Sequence, residues 1–202
     1  MFKRMSVLVR RDGDSQAQFS QGWLHHGEFI TQLPGLRGYV QNHVEEEFAP
    51  PGGAFLRADG FVELCFDSPE AMAEAFQSSA AVAMAQDEPN FLGHGSGYSL
   101  AGYTGLRDAE EGNKLIVAVE QGDAAQLEAA IATLPSQALI RDEVTALIAK
   151  AAMAPPQPVK CFLHLFFSNA EEARNTARAL AALTTKTGLQ TAVFRVRTIR
   201  FA

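Results

Sequence analysis

The chain is short of the features that would settle a function at once. Its two cysteines, Cys65 and Cys161, lie in or beside apolar runs, in no CxxC spacing. That excludes a disulfide framework or zinc module and leaves two small buried thiols. Basic residues (17 Lys and Arg) are outnumbered by acidic ones (23 Asp and Glu), for a net charge of −6. A nucleic-acid surface needs the opposite balance. No apolar run reaches the roughly 18 residues of a membrane span, and the first residues, Met1 to Ser6, lack the apolar stretch of a signal peptide. A soluble, reduced, cytoplasmic protein is therefore expected. The glycine-rich Gly93-His94-Gly95-Ser96-Gly97 follows a helix-like piece and precedes a strand, the reverse of a phosphate loop. Asp87-Glu88 has no metal-ligand companions at useful spacing, and no nucleophile motif of the serine type occurs.

What is present is the same unit twice. Phe61 to Glu70 returns as Phe162 to Glu171 at an offset of 101 (162 − 61), and Leu33-Pro34 returns as Leu134-Pro135 at that offset. Gln18-Phe19 returns as Gln126-Leu127 at 108 (126 − 18), so the second copy lacks 7 residues (108 − 101) upstream of the proline. That is about two helical turns, and the missing stretch corresponds to the part of the first copy with Trp23, His25 and His26. The repeat fixes the architecture before any single element does.

In the first copy a short apolar strand, Met5 to Val9, ends at a turn where Asp14 or Ser15 can cap a helix. Phe19, Trp23, His26, Ile30 and Leu33 then recur three and four apart on one helical face. Pro34-Gly35 stops the helix, and Leu36 to Glu46 alternates as a strand with Tyr39, Gln41 and His43 on one side. Ala49-Pro50-Pro51 is a loop. Phe61 to Phe66 is the third strand, Pro69 opens a helix, a helical piece covers about 82–91, and a last strand is read over Ser96 to Thr104. The second copy repeats the plan, with a helix from Asp123, strands over Leu115 to Val119, Ala138 to Ile148, Val159 to Phe167 and Thr191 to Phe201, and an alanine-rich helix from Ala170. The order βαββαβ is the ferredoxin-like unit. The expected fold is α+β, with tandem ferredoxin-like units over 1–108 and 113–202, joined through Asp108 to Gly112. Each unit leaves one sheet face bare, so the two faces are expected to bury each other as an intrachain dimeric α+β barrel.

Few residues can carry chemistry. His26 sits on the apolar helix face, where an imidazole is either a bonded core residue or a general acid/base. His25 points elsewhere, into solvent. Glu63 alternates with Phe61 and Cys65 on the third strand and corresponds in the repeat to His164. Both are expected to face the barrel interior, where a carboxylate needs a partner. Tyr39 follows the Pro-Gly turn. Arg195 and Arg197 share a face of the last strand and read as solvated, although such a pair could hold a carboxylate.

The first copy resembles the EthD family of dimeric α+β barrels. The resemblance rests on Lys3-Arg4, Val9-Arg10-Arg11, Phe19, Trp23, His26, Leu33-Pro34-Gly35-Leu36 and Tyr39 to His43. Asp59-Gly60, Glu63, Phe66-Asp67-Ser68, Asp87 and Phe91-Leu92 complete it. The second copy is similar only faintly and looks like a degenerate half. The resemblance implies a barrel that its relatives build from two chains, and chemistry with neither metal nor organic cofactor. It implies roles for His26 and Tyr39, the positions matching an implicated helix histidine and tyrosine in a methylmuconolactone methylisomerase. The expectation is then a lyase or isomerase acting on a small apolar carbonyl compound. His26 would be acid/base, Tyr39 oxyanion donor and Glu63 an orienting carboxylate, with Trp23, Phe61, Cys65 and His164 lining one pocket. The alternatives are a noncatalytic ligand-binding or stress-associated barrel and, third, a haem-binding barrel. A small molecule is the expected partner, and further pairing of two chains stays open.

Overall fold

Alternating side chains give every strand two faces, and the chain uses both. In the computed structural model the described residues are 1–49, 53–107, 109, 112–121, 124–150, 153, 155–187 and 190–202. The loop at Pro50-Pro51-Gly52, the linker residues Asp108, Glu110 and Glu111, the helix start at Asp123, and Ala154 lie outside them. The first half runs β1 (Phe2–Arg10), α1 (Gln16–Ile30), β2 (Leu36–Phe48), β3 (Gly60–Phe66), α2 (Pro69–Ala75), α3 (Ser79–Asp87), a 3-10 turn (Glu88–Asn90) and β4 (Leu92–Leu100). The second runs β5 (Lys114–Gln121), α4 (Ala124–Ile131), β6 (Ala138–Ala149), β7 (Cys161–Phe166), α5 (Ala170–Thr187) and β8 (Gln190–Arg200).

The eight strands close into one antiparallel barrel in the order β1-β3-β2-β8-β5-β7-β6-β4. Each half contributes the order 4-1-3-2 of a ferredoxin-like unit. The halves are stitched along two seams, β2 with β8 and β4 with β6. Closure removes the open sheet edge that each half would expose alone. Strand register pins the internal correspondence. Lys3 pairs with Cys65 as Lys114 pairs with Phe166, and Asn42 pairs with Phe61 as Asp142 pairs with Phe162. Lys3 thus matches Lys114, Asn42 matches Asp142, and Glu63 matches His164.

Inward-facing residues from both halves, among them Met5, Val7, Phe61, Tyr98, Ile116, Phe162 and Phe194, form the barrel core. The outer faces are covered separately. In the first half Leu8, Val62, Leu64 and Tyr39 pack under Phe19, Trp23 and Ile30 of α1 and Met84 of α3. In the second, Leu115, Val117, Leu163 and Val193 pack under α4 and α5. Ser15 caps α1, its hydroxyl accepting from the Gln18 amide, and Gly35 turns out of the helix at φ 72°.

Two expectations change. The strand read over Ser96 to Thr104 runs from Leu92 to Leu100, because its glycines continue the ladder beneath neighbouring side chains. Arg195, read as solvated, is buried between Glu45 (2.7 Å) and Glu46 (2.7 Å). The acidic run Glu45-Glu46 on the adjacent β2 accounts for it.

Gly60 opens β3 directly beneath Trp23, so that an added Cβ would overlap the indole. Gly60→Ala should therefore cost about 1–3 kcal/mol through overpacking. It should also shift the emission of Trp23, the only tryptophan in the chain. Unchanged stability with unchanged fluorescence would contradict this packing.

Candidate functional site

One face of α1 brings Trp23, His26 and Ile30 over the outer face of β1, β2 and β3. Between helix and sheet lies a pocket lined also by Tyr39, Leu64, Phe76, Met84 and Phe91. It is contracted, about 60 Å³, which is room for a few waters or one small group unless side chains turn aside. His26 is buried, with its ring against Phe91 (centroids 4.9 Å). Its Nδ1 lies 2.9 Å from Asp87 Oδ2 at the end of α3, and no described residue bonds its Nε2. A carboxylate accepts at Nδ1, so the imidazole carries its proton there and leaves the Nε2 lone pair free. Burial pushes the His26 pKa below its ordinary value, outweighing the Asp87 contact. Near neutrality the ring is an uncharged base.

Tyr39, on the same sheet face, is fully buried and stacked on Phe201 (4.9 Å). Its hydroxyl accepts from Gln41 Nε2 at 2.6 Å, and burial raises its pKa. It is therefore a neutral phenol whose own proton can be donated. Gln41 Nε2 also donates to the Trp23 carbonyl at 2.7 Å, while Gln41 Oε1 meets His43 Nε2 at 2.9 Å and Ser20 Oγ meets His43 Nδ1 at 2.9 Å. The second half completes the pocket. Phe201 packs where α1 has Gly27, and Lys150 reaches across from the end of β6 to pair with Glu88.

The remaining sequence candidates lie on the other side of the sheet. Phe61, Glu63, Cys65 and His164 face the barrel interior, as alternation along β3 and β7 requires. The single pocket expected to hold all seven residues is thus two environments. Trp23, His26 and Tyr39 share one, and Glu63 cannot orient His26 through the sheet. Asp87 holds that position.

Inside the barrel Glu63 joins a sealed polar cluster. Its Oε1 accepts from Lys114 Nζ at 2.8 Å and Asn42 Nδ2 at 2.9 Å, and its Oε2 lies 2.8 Å from Lys3 Nζ. Lys3 Nζ also meets Asp142 Oδ2 at 2.7 Å, and Asp142 meets His164 Nε2 at 3.0 Å and the Thr104 hydroxyl. Burial alone would raise the Glu63 pKa, but Lys114 and Lys3 together hold it well below the carboxylate range. His164 Nδ1 is 3.8 Å from Glu63 and has no hydrogen-bond partner, so the two interior residues are neighbours without a direct bond. Burial pushes the Cys65 thiol up to about 11. Glu63, Asp142 and His164 are close enough for a cation, but the two ammonium groups already occupy their carboxylate oxygens. Two lysines against two carboxylates make the cluster neutral when His164 is neutral, and this is the pattern of a structural lock.

A larger cavity, about 600 Å³, opens near the Val7 end of the barrel between Leu56, His94, Ser96 and Gln157. It contains none of the seven candidates. In the second half α4 (AAQLEAAI) carries neither a tryptophan nor a histidine. Leu139 stands where Tyr39 does, and apolar residues such as Leu127, Ile131, Leu163 and Leu180 fill the space under its helices.

Sequence reading missed Asp87 as the partner of His26, because the two are 61 residues apart. It also missed Lys3, Lys114 and Asp142, since charged residues on strands read as solvated. A lysine at the same place in both copies was the available signal.

The EthD domain model matches residues 11–95, so the first half of the chain carries an EthD domain. No curated protein matches the chain. Among solved structures, an anthrone oxidase-like protein is 7% identical with a TM-score of 0.58, over 98% of this chain and 92% of that one. A protein of Lactobacillus acidophilus provisionally named a monooxygenase is 12% identical with a TM-score of 0.52, over 98% and 93%. One of Fusobacterium nucleatum, named likewise, is 7% identical with a TM-score of 0.54, over 99% and 96%. At these identities what is shared is the fold along nearly the full length of both chains.

Proposed function

We propose that this chain, with an EthD domain as its first half, is a cofactor-independent enzyme acting on a small, largely apolar, carbonyl-bearing molecule. The carrying observation is the His26–Asp87 pair, whose free Nε2 faces an apolar pocket. His26 Nε2 takes a proton from the carbon beside the carbonyl, and Asp87 steadies the imidazolium that forms. Tyr39 donates its phenol hydrogen bond to the enolate oxygen. Returning the proton to a different carbon gives an isomerase, and expelling a leaving group gives a lyase. There is one such site per chain, since α4 of the second half carries no histidine to match His26. A porphyrin is far larger than the gap at His26, which weighs against haem there.

The test is deuterium exchange. Wild-type protein in D2O, offered a panel of small lactones, ketones and keto acids, should label at least one of them beside its carbonyl. His26→Ala should slow the exchange by about a hundredfold, with the barrel intact by circular dichroism. The rate should be flat through neutrality and fall only below the ordinary imidazole range, because burial holds the His26 pKa beneath its usual value. Exchange at the wild-type rate in His26→Ala would remove His26 as the base. Binding without exchange by any candidate would favour the noncatalytic ligand-binding barrel. The names of the structural neighbours add one further arm: oxygen uptake with the same compounds would mean that the enolate is intercepted by O2.

A further inference from the structure

We infer that Arg4, lying on the glycine face of β4, forms a carboxylate subsite in the His26 pocket, so that the molecule bound there is a small apolar acid. This rests on the pocket being a ligand site, and it narrows which ligands fit.

Gly95 and Gly97 alternate with Ser96 and Tyr98 on β4, which places these two glycines on one face, while Gly93 sits at a shift in the β1–β4 register. Tyr98 and Ser96 point into or along the barrel, while the glycines present bare backbone outward. Arg4 on the adjacent β1 lies across Gly97, where an added Cβ would come within 2.6 Å of its Nη2. Lys150 lies across Gly95, where a Cβ would be 3.2 Å from its Cδ. The motif that fails as a phosphate loop is therefore a floor cleared for two cationic side chains.

The two cations differ in what they meet. Lys150 is neutralised by Glu88. Arg4 is largely buried, its guanidinium 5.2 Å from the centre of the Phe76 ring, and its Nε has no hydrogen-bond partner. Arg10, Arg37, Arg174 and Arg195 each meet a carboxylate. Arg4 has no carboxylate at ion-pair distance among the described residues. Glu88, the acid that influences it electrostatically, is engaged by Lys150. Asp87, behind His26, is held by that imidazole and by Asn90 Nδ2 at 2.9 Å. A buried guanidinium without an anion is costly, and its planar fork suits a carboxylate in two parallel hydrogen bonds. Mostly apolar walls that also carry His26, Tyr39 and Arg4 thus select an acid with a short carbon skeleton.

Crotonate and its neutral isostere crotonamide, titrated into 15N-labelled protein, test this without requiring turnover. Wild type should bind crotonate at least about tenfold more tightly than the amide. Arg4→Gln should abolish that preference and leave amide binding unchanged. Gly97→Ala, which keeps the charge but displaces the guanidinium, should weaken crotonate alone, and it serves if Arg4→Gln folds poorly. Equal affinity for the two probes, no binding of crotonate, or a preference that survives both substitutions overturns the subsite. An enzyme that depends on His26 yet ignores Arg4 fails only this test. An inactive protein that selects the acid passes it.

Discussion

Lys114→Met should lower the free energy of unfolding by about 3–5 kcal/mol, the usual cost of removing one partner from a buried charge pair. Lys114 reaches from the second half of the chain to Asn42 and Glu63 of the first. Its loss leaves the interior with Lys3 against two carboxylates, in a space that no water reaches freely. Methionine fills most of the volume, so the loss reports charge more than cavity. Adding Glu63→Gln restores neutrality, since Lys3 then faces Asp142 alone, and the double variant should recover a substantial part of the stability. Denaturant melts of the wild type, both single variants and the double close the cycle. A single-variant loss under about 1 kcal/mol, or additive losses in the double, would show that the cluster does not lock the halves together.

Acid should destabilise the protein well before its carboxylates are titrated. His43 is buried under Trp23, between Ser20 and Gln41, and burial together with Arg197 pushes its pKa down to about 3. In the unfolded chain it titrates near 6.5. Between these values the unfolded state holds a proton that the folded state refuses, so stability is whole above pH 6.5 and falls as pH drops toward 3. From pH 7 to pH 4 the loss through His43 alone is about 3 kcal/mol, a large share of an ordinary domain's stability. His26 and His164, both lowered by burial, act in the same direction. The depressed Glu63 and Asp142 extend the loss below the ordinary carboxylate range. His43→Gln should flatten the curve of stability against pH over that interval, even if it lowers stability at pH 7. An unchanged slope would refute the assignment.

The barrel could be read from the chain because its causes are periodic. Alternation set the faces of β2 and β3, and three-four spacing set the buried stripe of α1. The repeat showed that two bare sheet faces existed to be paired. The site was legible only in part, for physical reasons. Trp23, His26 and Tyr39 belong to local patterns that do converge. Asp87 reaches His26 only through tertiary packing, which no local spacing encodes. Glu63 misled because a strand separates its two faces completely: a residue next in sequence to the pocket wall faces a different medium. The glycines of β4 were recognised as unusual, but their purpose lies in Arg4, 91 residues before Gly95 (95 − 4), and Lys150, 55 after it (150 − 95). Pattern within one segment does not show what lies across it.

The seams β2–β8 and β4–β6 join parts of one molecule, so mass action has no hold on them. Where two chains supply the halves, dilution can open such a barrel, and every substitution is made in both halves at once. Here each half can drift alone. Asn42 matched by Asp142, and Glu63 matched by His164, are the kind of unequal exchange that two identical chains could never make: an acid given up on one strand and regained on the next, with the total charge kept.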